Sequence, residues 1–412
     1  MKSKSPDLPP SQSSGASQTS AVLTSPGKAW LLALLLASCT ILSLAGTDLV
    51  LPAVPYLPDA LGGTLREAQY VLATFTAGTG LGLLLFGELG SRWDSVHMLV
   101  GATLAYAALS ALGALAPNLD TLITLRFFQG IAAACAAVVA PGLVRALFDE
   151  EGGLRAIGAL GSVESLAPAI APIIGAALFS VYGWASSFWI TAALALFLAF
   201  VVRAMRTAMP AVVTQSSESN YKLLLRSGVF QRYALSHGLG LAALLAFVFA
   251  MPSVFVQALD AKMSDFIVMQ ILGISAFIVA ANTSGFVVTR IGAERVLYLG
   301  NSLMLLAAAA LLFLALLGGV EPWTIWFFFV PLNFGFGLRG PPGFYGALQA
   351  SNGDDTRAAA LVVLYVMLLT AAATAALAPF ITFGIAPAAL TSLSLAIASH
   401  FLLWRLPSLN AP

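Results

Sequence analysis

The chain has 412 residues, of which 59% are hydrophobic and 9% charged, with a formal net charge of +1. Soluble domains carry about 25% charged residues, so a water-soluble fold cannot cover this much apolar surface, and lipid is the solvent for most of the chain. The near-neutral balance argues against nucleic acid as a partner.

Residues 1–27 are rich in Ser, Pro, Gln and Thr and hold no apolar run, the composition of a disordered tail. They lack the short apolar core of a secretory signal. From Ala29 onward, twelve stretches reach the ~20 residues that a helix needs to cross the apolar layer. They run over roughly 29–57, 68–90, 96–116, 120–147, 154–181 and 185–206, then 231–257, 265–289, 294–317, 322–349, 357–381 and 384–405. None shows the polar/apolar alternation of a membrane β-barrel. Cys39 and Cys135 both fall inside these stretches and read as packing residues. The expected fold is an all-α integral membrane protein with twelve transmembrane helices in two six-helix bundles, 28–206 and 231–405. A cytoplasmic linker at 207–230 joins them, and 406–412 forms a second cytoplasmic tail.

The basic residues orient the spans. With both termini in the cytoplasm, fifteen of the 19 Lys and Arg fall in inner loops, tails or inner helix ends, among them Lys28, Arg92, Arg145, Arg226 and Arg405. Only Arg66 and Lys262 fall outside, and Arg126 and Arg339 lie within spans. This is the bias of the positive-inside rule.

The halves repeat weakly. Gly87-Glu-Leu-Gly-Ser-Arg92 closes the second span as Gly285-Phe-Val-Val-Thr-Arg290 closes the eighth. Pro141-Gly142 and Ala146-Leu147 close the fourth as Pro342-Gly343 and Ala347-Leu348 close the tenth. Both matches share an offset of about 200 residues, and transporters built from repeated halves place substrate between them near midplane.

Four motifs carry a family resemblance: Thr47-Asp48-Leu-Val-Leu-Pro52-Ala-Val-Pro55, the loop from Gly87 to Met98, Leu125-Arg126-Phe-Phe-Gln129-Gly130, and Ala167-Pro168-Ala-Ile-Ala171-Pro172-Ile-Ile-Gly175. With this topology the chain resembles the major facilitator superfamily. It is most similar to the twelve-helix drug:proton antiporter branch, including bicyclomycin-resistance-like exporters. The resemblance covers residues 28–405. It implies alternating access, a proton-coupling acid in helix 1, and a helix 4 Arg-x-x-Gln-Gly site at Arg126 and Gln129. It also implies a Gly/Pro-rich gating segment in helix 5 at Pro168, Pro172 and Gly175. The loop between helices 2 and 3 departs from the family signature. Gly87, Leu89 and Arg92 stand, but Ser91 replaces the acid that latches the inner gate in the family, and Asp94 is a candidate stand-in.

Ionisable side chains within spans are functional candidates, because each costs at least ~2.5–3.5 kcal/mol to place there. Asp48 and Arg126 both occupy the outer layer. They read either as a coupling carboxylate with a tuning arginine or as a fixed ion pair between helices 1 and 4. Glu164 shares a helical face with Pro168, Ala171, Pro172 and Gly175 that is expected to meet the opposite half. It reads as a proton or cation site, or as a neutral glutamate bonded within the seam. Arg339, inside a Gly/Pro-rich stretch that suggests a broken or bending segment, reads as an anion contact or gate, or as an arginine reaching the inner headgroups. His237 is expected at the interface, and Asn282, Asn301 and Asn333 as bonds between helices.

No phosphate-binding loop, metal-ligand cluster or soluble domain large enough for an enzyme is present. The expected protein is a monomeric bacterial inner-membrane exporter of small amphipathic or cationic compounds. Its partners are substrate, protons and lipid, and the proton gradient stands in place of a cofactor. Two alternatives are a dedicated exporter or importer of one metabolite, such as an amino acid, sugar or siderophore, and a sensor that has lost transport.

Overall fold

The computed structural model describes residues 26–90, 92–148, 152, 156, 167–210, 221–351 and 354–409. Among these residues there is no strand, and twelve helices have sixteen residues or more. They are α1 Pro26–Asp48, α2 Leu65–Leu89, α3 Ser95–Ala114, α4 Leu119–Leu147, α5 Ala167–Tyr182 and α6 Ser186–Ala204, then α7 Gly228–Ser253, α8 Met263–Ile291, α9 Ala293–Leu317, α10 Pro322–Gln349, α11 Asp355–Leu377 and α12 Ala386–Arg405. Ten are long and apolar enough to cross a membrane. Of the other two, α5 is described over 16 residues. The 28-residue α10 is interrupted in composition by Asn333, Arg339 and three prolines. Short helices at Leu57–Leu61 and Tyr221–Arg226 lie between the long ones.

The boundaries follow local chemistry. Pro52 and Pro55 cannot extend α1, so the first span leaves the α-helix at Asp48 and continues as a 3-10 turn over Leu51–Tyr56. Thr64 opens α2 with a capping box: Glu67 N donates to Thr64 Oγ1 at 3.3 Å, and Thr64 N to Glu67 Oε2 at 2.7 Å. Asp94, Asn118 and Ser227 cap α3, α4 and α7. Only Gly292 separates α8 from α9, at φ +86°, a turn that suits glycine alone. Serine also repairs α10. Pro342 has no N–H for the Leu338 carbonyl, and Ser284 Oγ of α8 donates to that carbonyl at 2.7 Å. Of the two expectations at this point, a broken or a bending segment, the break is corrected: α10 runs unbroken through Pro341 and Pro342.

Glycines set the closest crossings. A Cβ on Gly78 would strike the Phe127 carbonyl, and one on Gly130 would strike Phe75 O, so α2 and α4 touch backbone to backbone. Gly337 of α10 lies the same way against α8, where a Cβ would stand 2.5 Å from Phe277 O.

Outer and inner are used in the sense set by the basic residues. At the inner side the two sets of helices have separate cores. Leu36, Leu99, Leu143 and Val202 belong to one, and Phe230, Leu297, Leu361 and Leu403 to the other. Arg232 of α7 ties the second core together. It pairs with Glu294 in the first turn of α9 and donates to the Leu403 and Leu406 carbonyls at the end of α12. At the outer side one apolar cluster spans both sets: Val54, Leu57 and Leu72 pack with Phe247, Phe255, Leu377 and Ile381. Two hydrogen bonds cross there, Gln69 Nε2 to Ser253 Oγ at 2.9 Å and Gln257 Nε2 to Pro55 O at 3.2 Å. The molecule is sealed at its outer end.

Candidate functional site

Asp48 is the last residue of α1. Val50 N donates to Thr47 O at 3.1 Å as the helix tightens, which releases the Gly46 carbonyl from its usual partner. Arg126 of α4 takes that carbonyl. Its Nη1 donates to Gly46 O at 3.0 Å and to Gln129 Oε1 at 2.8 Å, and its Nε to Val71 O of α2 at 3.2 Å. The guanidinium is fully buried, with its carbon 4.0 Å from the centre of the Phe75 ring and 5.8 Å from that of Phe188. A positive charge at a helix C-terminus complements the exposed carbonyl ends.

Arg126 and Asp48 do not form an ion pair. Asp48 follows Gly46 by two residues, ~200° around the helix, so the turn that presents Gly46 O to Arg126 presents Asp48 elsewhere. Asp48 is half-buried and has no hydrogen bond or ion pair with any described residue. The fixed-pair alternative thus gives way to an unpartnered carboxyl beside an arginine whose acceptors are carbonyls and an amide.

Gln129 is held in turn by α3. Its Nε2 donates to Ser110 Oγ at 2.7 Å, and Ser110 Oγ donates to Tyr106 O at 2.6 Å. Tyr106 OH lies 3.4 Å from Leu42 O, back on α1. Nothing in the sequence separates Ser110 or Tyr106 from other residues of apolar spans.

A second fully buried arginine, Arg339 of α10, lies among α7, α9 and α12. Arg339 Nη2 donates to Ser236 O at 3.0 Å and Ser236 Oγ at 2.6 Å, and Nη1 to Asn301 Oδ1 at 3.2 Å. It is 1% exposed, so it does not reach the inner headgroups. Asn301 continues the network to Ala396 O at 3.0 Å. His237 is buried against Phe336 and Phe344, not interfacial.

The gating candidates divide. Glu164 and Ser91 lie outside the described residues. Gly175 and Ala171 pack on α1, where a Cβ on Gly175 would strike Leu49 O. Gly175 and Ala171 of that face therefore meet α1 in their own half, where glycine permits backbone contact with the end of α1, while α5 also lies against α8 of the opposite half. Pro172 is buried and Pro168 exposed. Gly87 has open space around its Cβ position. Arg92 pairs with Glu88 at 2.8 Å on the surface. Asp94 caps α3, with Oδ1 2.9 Å from His97 N and 2.8 Å from His97 Nδ1. Partial burial opposes its charge, but the His97 bonds outweigh it and hold the carboxyl below the usual range. Arg206 Nη1 lies 3.0 Å from His97 Nε2 and can only donate, so the ring proton sits on Nδ1, facing Asp94.

Residues 36–376 match the family model of the Major Facilitator Superfamily. The chain belongs to this superfamily. A chloramphenicol resistance protein of Pseudomonas aeruginosa is 35% identical over 156 residues, 38% of this chain and 37% of that one. The multidrug resistance protein MdtL of Shewanella oneidensis is 24% identical over 67% of this chain and 70% of its own length. MdtL of Escherichia coli O157:H7 is 22% identical over 71% and 75%. The structure is similar to that of the POT-family transporter PepTSo, with a TM-score of 0.74 at 13% identity over 91% of this chain and 97% of that one. It is also similar to the nucleoside transporter NupG, with a TM-score of 0.66 at 13% identity over 90% and 98%. At such identity these structures speak to the fold: a multi-pass membrane protein of the major facilitator type.

Proposed function

We propose that this major facilitator protein is a proton-coupled exporter of small amphipathic or cationic compounds. It works by alternating access as a monomer in a bacterial inner membrane, with both termini in the cytoplasm. It carries out no enzymatic reaction and needs no cofactor beyond the proton gradient. The observation that carries this reading is the Asp48 carboxyl, half-buried and unpartnered at the end of a helix whose last turn Arg126 fixes. A carboxyl with no fixed partner can exchange a proton, or a cationic substrate for a proton, as the bundles rock. The names of the relatives favour antibiotic-like cargo.

A transporter of one carboxylated metabolite would need a reachable arginine. Arg126 and Arg339 are at most 1% exposed and bonded to protein acceptors, which weighs against it.

The test is efflux of a lipophilic cation dye into inverted vesicles driven by a pH gradient. Wild type is expected to transport and Asp48→Asn to lose proton-driven transport. Dye movement indifferent to the gradient in wild type overturns the reading.

A further inference from the structure

The structure assigns Tyr106 and Ser110 of α3 as positioning residues that hold Arg126 and the last turn of α1, and so set where the Asp48 carboxyl sits. This rests on the reading of Asp48 as the coupling group.

The contacts close a ring through three helices. From α1, Gly46 O accepts from Arg126 of α4; Arg126 also donates to Gln129; Gln129 donates to Ser110 of α3; Ser110 donates to the Tyr106 carbonyl; and Tyr106 OH returns to Leu42 O of α1. Leu42 and Gly46 are one helical turn apart, so α1 is gripped twice on one side just before Asp48. Gly46 is the residue the grip requires, because Tyr106 OH occupies the place of its Cβ. Arg126, Gln129, Tyr106 and Ser110 are all nearly or fully buried, where a polar network fixes geometry and each missing partner is costly.

Ser110 is the hinge of the ring. It is the acceptor for Gln129 Nε2, and Gln129 Oε1 is the only side-chain acceptor Arg126 has among the described residues. Without the Ser110 hydroxyl, the Gln129 amide is free to turn, and the guanidinium keeps only backbone acceptors. Loss of the Tyr106 hydroxyl removes the inner of the two grips on α1 and leaves the ring's packing in place.

The variants Ser110→Ala and Tyr106→Phe each delete one hydroxyl and keep the buried volume close to native. Both are compared with wild type and Asp48→Asn in reconstituted vesicles, by two measurements on the same dye: uptake driven by a pH gradient, and counterflow exchange at equal pH. We expect gradient-driven uptake to fall about tenfold in both variants, while counterflow stays within about twofold of wild type. A residue that merely stabilises the fold would lower both fluxes together, and that result overturns the assignment. Loss of coupling in Asp48→Asn, with Ser110→Ala and Tyr106→Phe fully coupled, also overturns it and leaves the proposed function standing. Retained coupling in Asp48→Asn removes the proposed function itself, and the positioning role with it.

Discussion

Gln69 of α2 donates through Nε2 to Ser253 Oγ of α7 at 2.9 Å, joining the two halves of the molecule inside its apolar outer seal. Each residue is 1% exposed. When the seal opens, both side chains meet water. The bond therefore lets two polar groups sit in the closed seam without being stranded.

Removing one partner or both should act with opposite sign. Ser253→Ala leaves the Gln69 amide unpaired only in the closed seam, which disfavours that state by about 1–3 kcal/mol, a factor of about 5 to 160. Gln69→Leu with Ser253→Ala replaces this polar pair by apolar contact and favours closure. Accessibility of a cysteine placed at the outer seam to an impermeant thiol reagent should rise in the single variant and fall in the double. A shift in the same direction for both would refute the assignment.

Gly130 should tolerate no side chain. A methyl group there would strike Phe75 O, a main-chain atom that cannot rotate away, so α2 must move off α4. That movement pulls Val71 O and the Phe75 ring from Arg126. Overpacking of this kind costs about 1–3 kcal/mol or more. Gly130→Ala is expected to lower both the yield of folded protein and transport. Gly142→Ala, on the same helix with open space at its Cβ, should change neither. Equal behaviour of the two variants would remove the crossing from the account.

The Asp94 cap should titrate. Its carboxyl lies below the ordinary carboxylate range, so its contribution is fully present above the unfolded value and is lost as pH falls through the lower folded one. The protection factor of the His97 amide, its exchange measured against the unprotected rate at the same pH, should stay high at neutral pH and fall in acid. Asp94→Asn keeps a good cap and should flatten this dependence, while Asp94→Ala should lose about 1 kcal/mol of local protection at neutral pH, a deficit against wild type that narrows in acid. An acid response unchanged in Asp94→Asn would assign it to another group.

Arg126 could be picked out in the sequence because an ionisable group in an apolar span is rare and costly. Its acceptors could not, since Gly46 O and Val71 O are main-chain atoms that any residue supplies. Ser110 was equally hidden: serines in apolar helices commonly bond the carbonyl four residues back, as Ser110 does, and only tertiary contact adds Gln129. The missing Asp48–Arg126 pair reflects phase at the end of a helix, which depth along the membrane does not report. Helix order was readable from apolar run length, which by itself carries ten of the twelve expected spans; α5 is described over 16 residues, and α10 is too polar in composition. The face of α5 was readable in part, because small residues mark a close approach without naming the neighbour: the backbone of α1 fills the place beside Gly175, and α8 of the opposite half also packs on the helix.

Ser284 should matter beyond its own helix. Its hydroxyl supplies the one donor that Pro342 denies the Leu338 carbonyl, across from α8 to α10. Ser284→Ala leaves that buried carbonyl without its partner and should destabilise the protein by about 1 kcal/mol, lowering the unfolding temperature in detergent by about 1–2 °C. Thr283→Ala is the matched comparison, because the Thr283 hydroxyl bonds only the Val279 and Ala280 carbonyls of its own helix and is exposed. It should be close to neutral. Replacing Pro342 by Ala in the Ser284→Ala background restores a backbone donor for Leu338 O and should recover the lost stability. If Ser284→Ala costs no more than Thr283→Ala, the serine does not repair the proline, and α10 passes through Pro342 by packing alone.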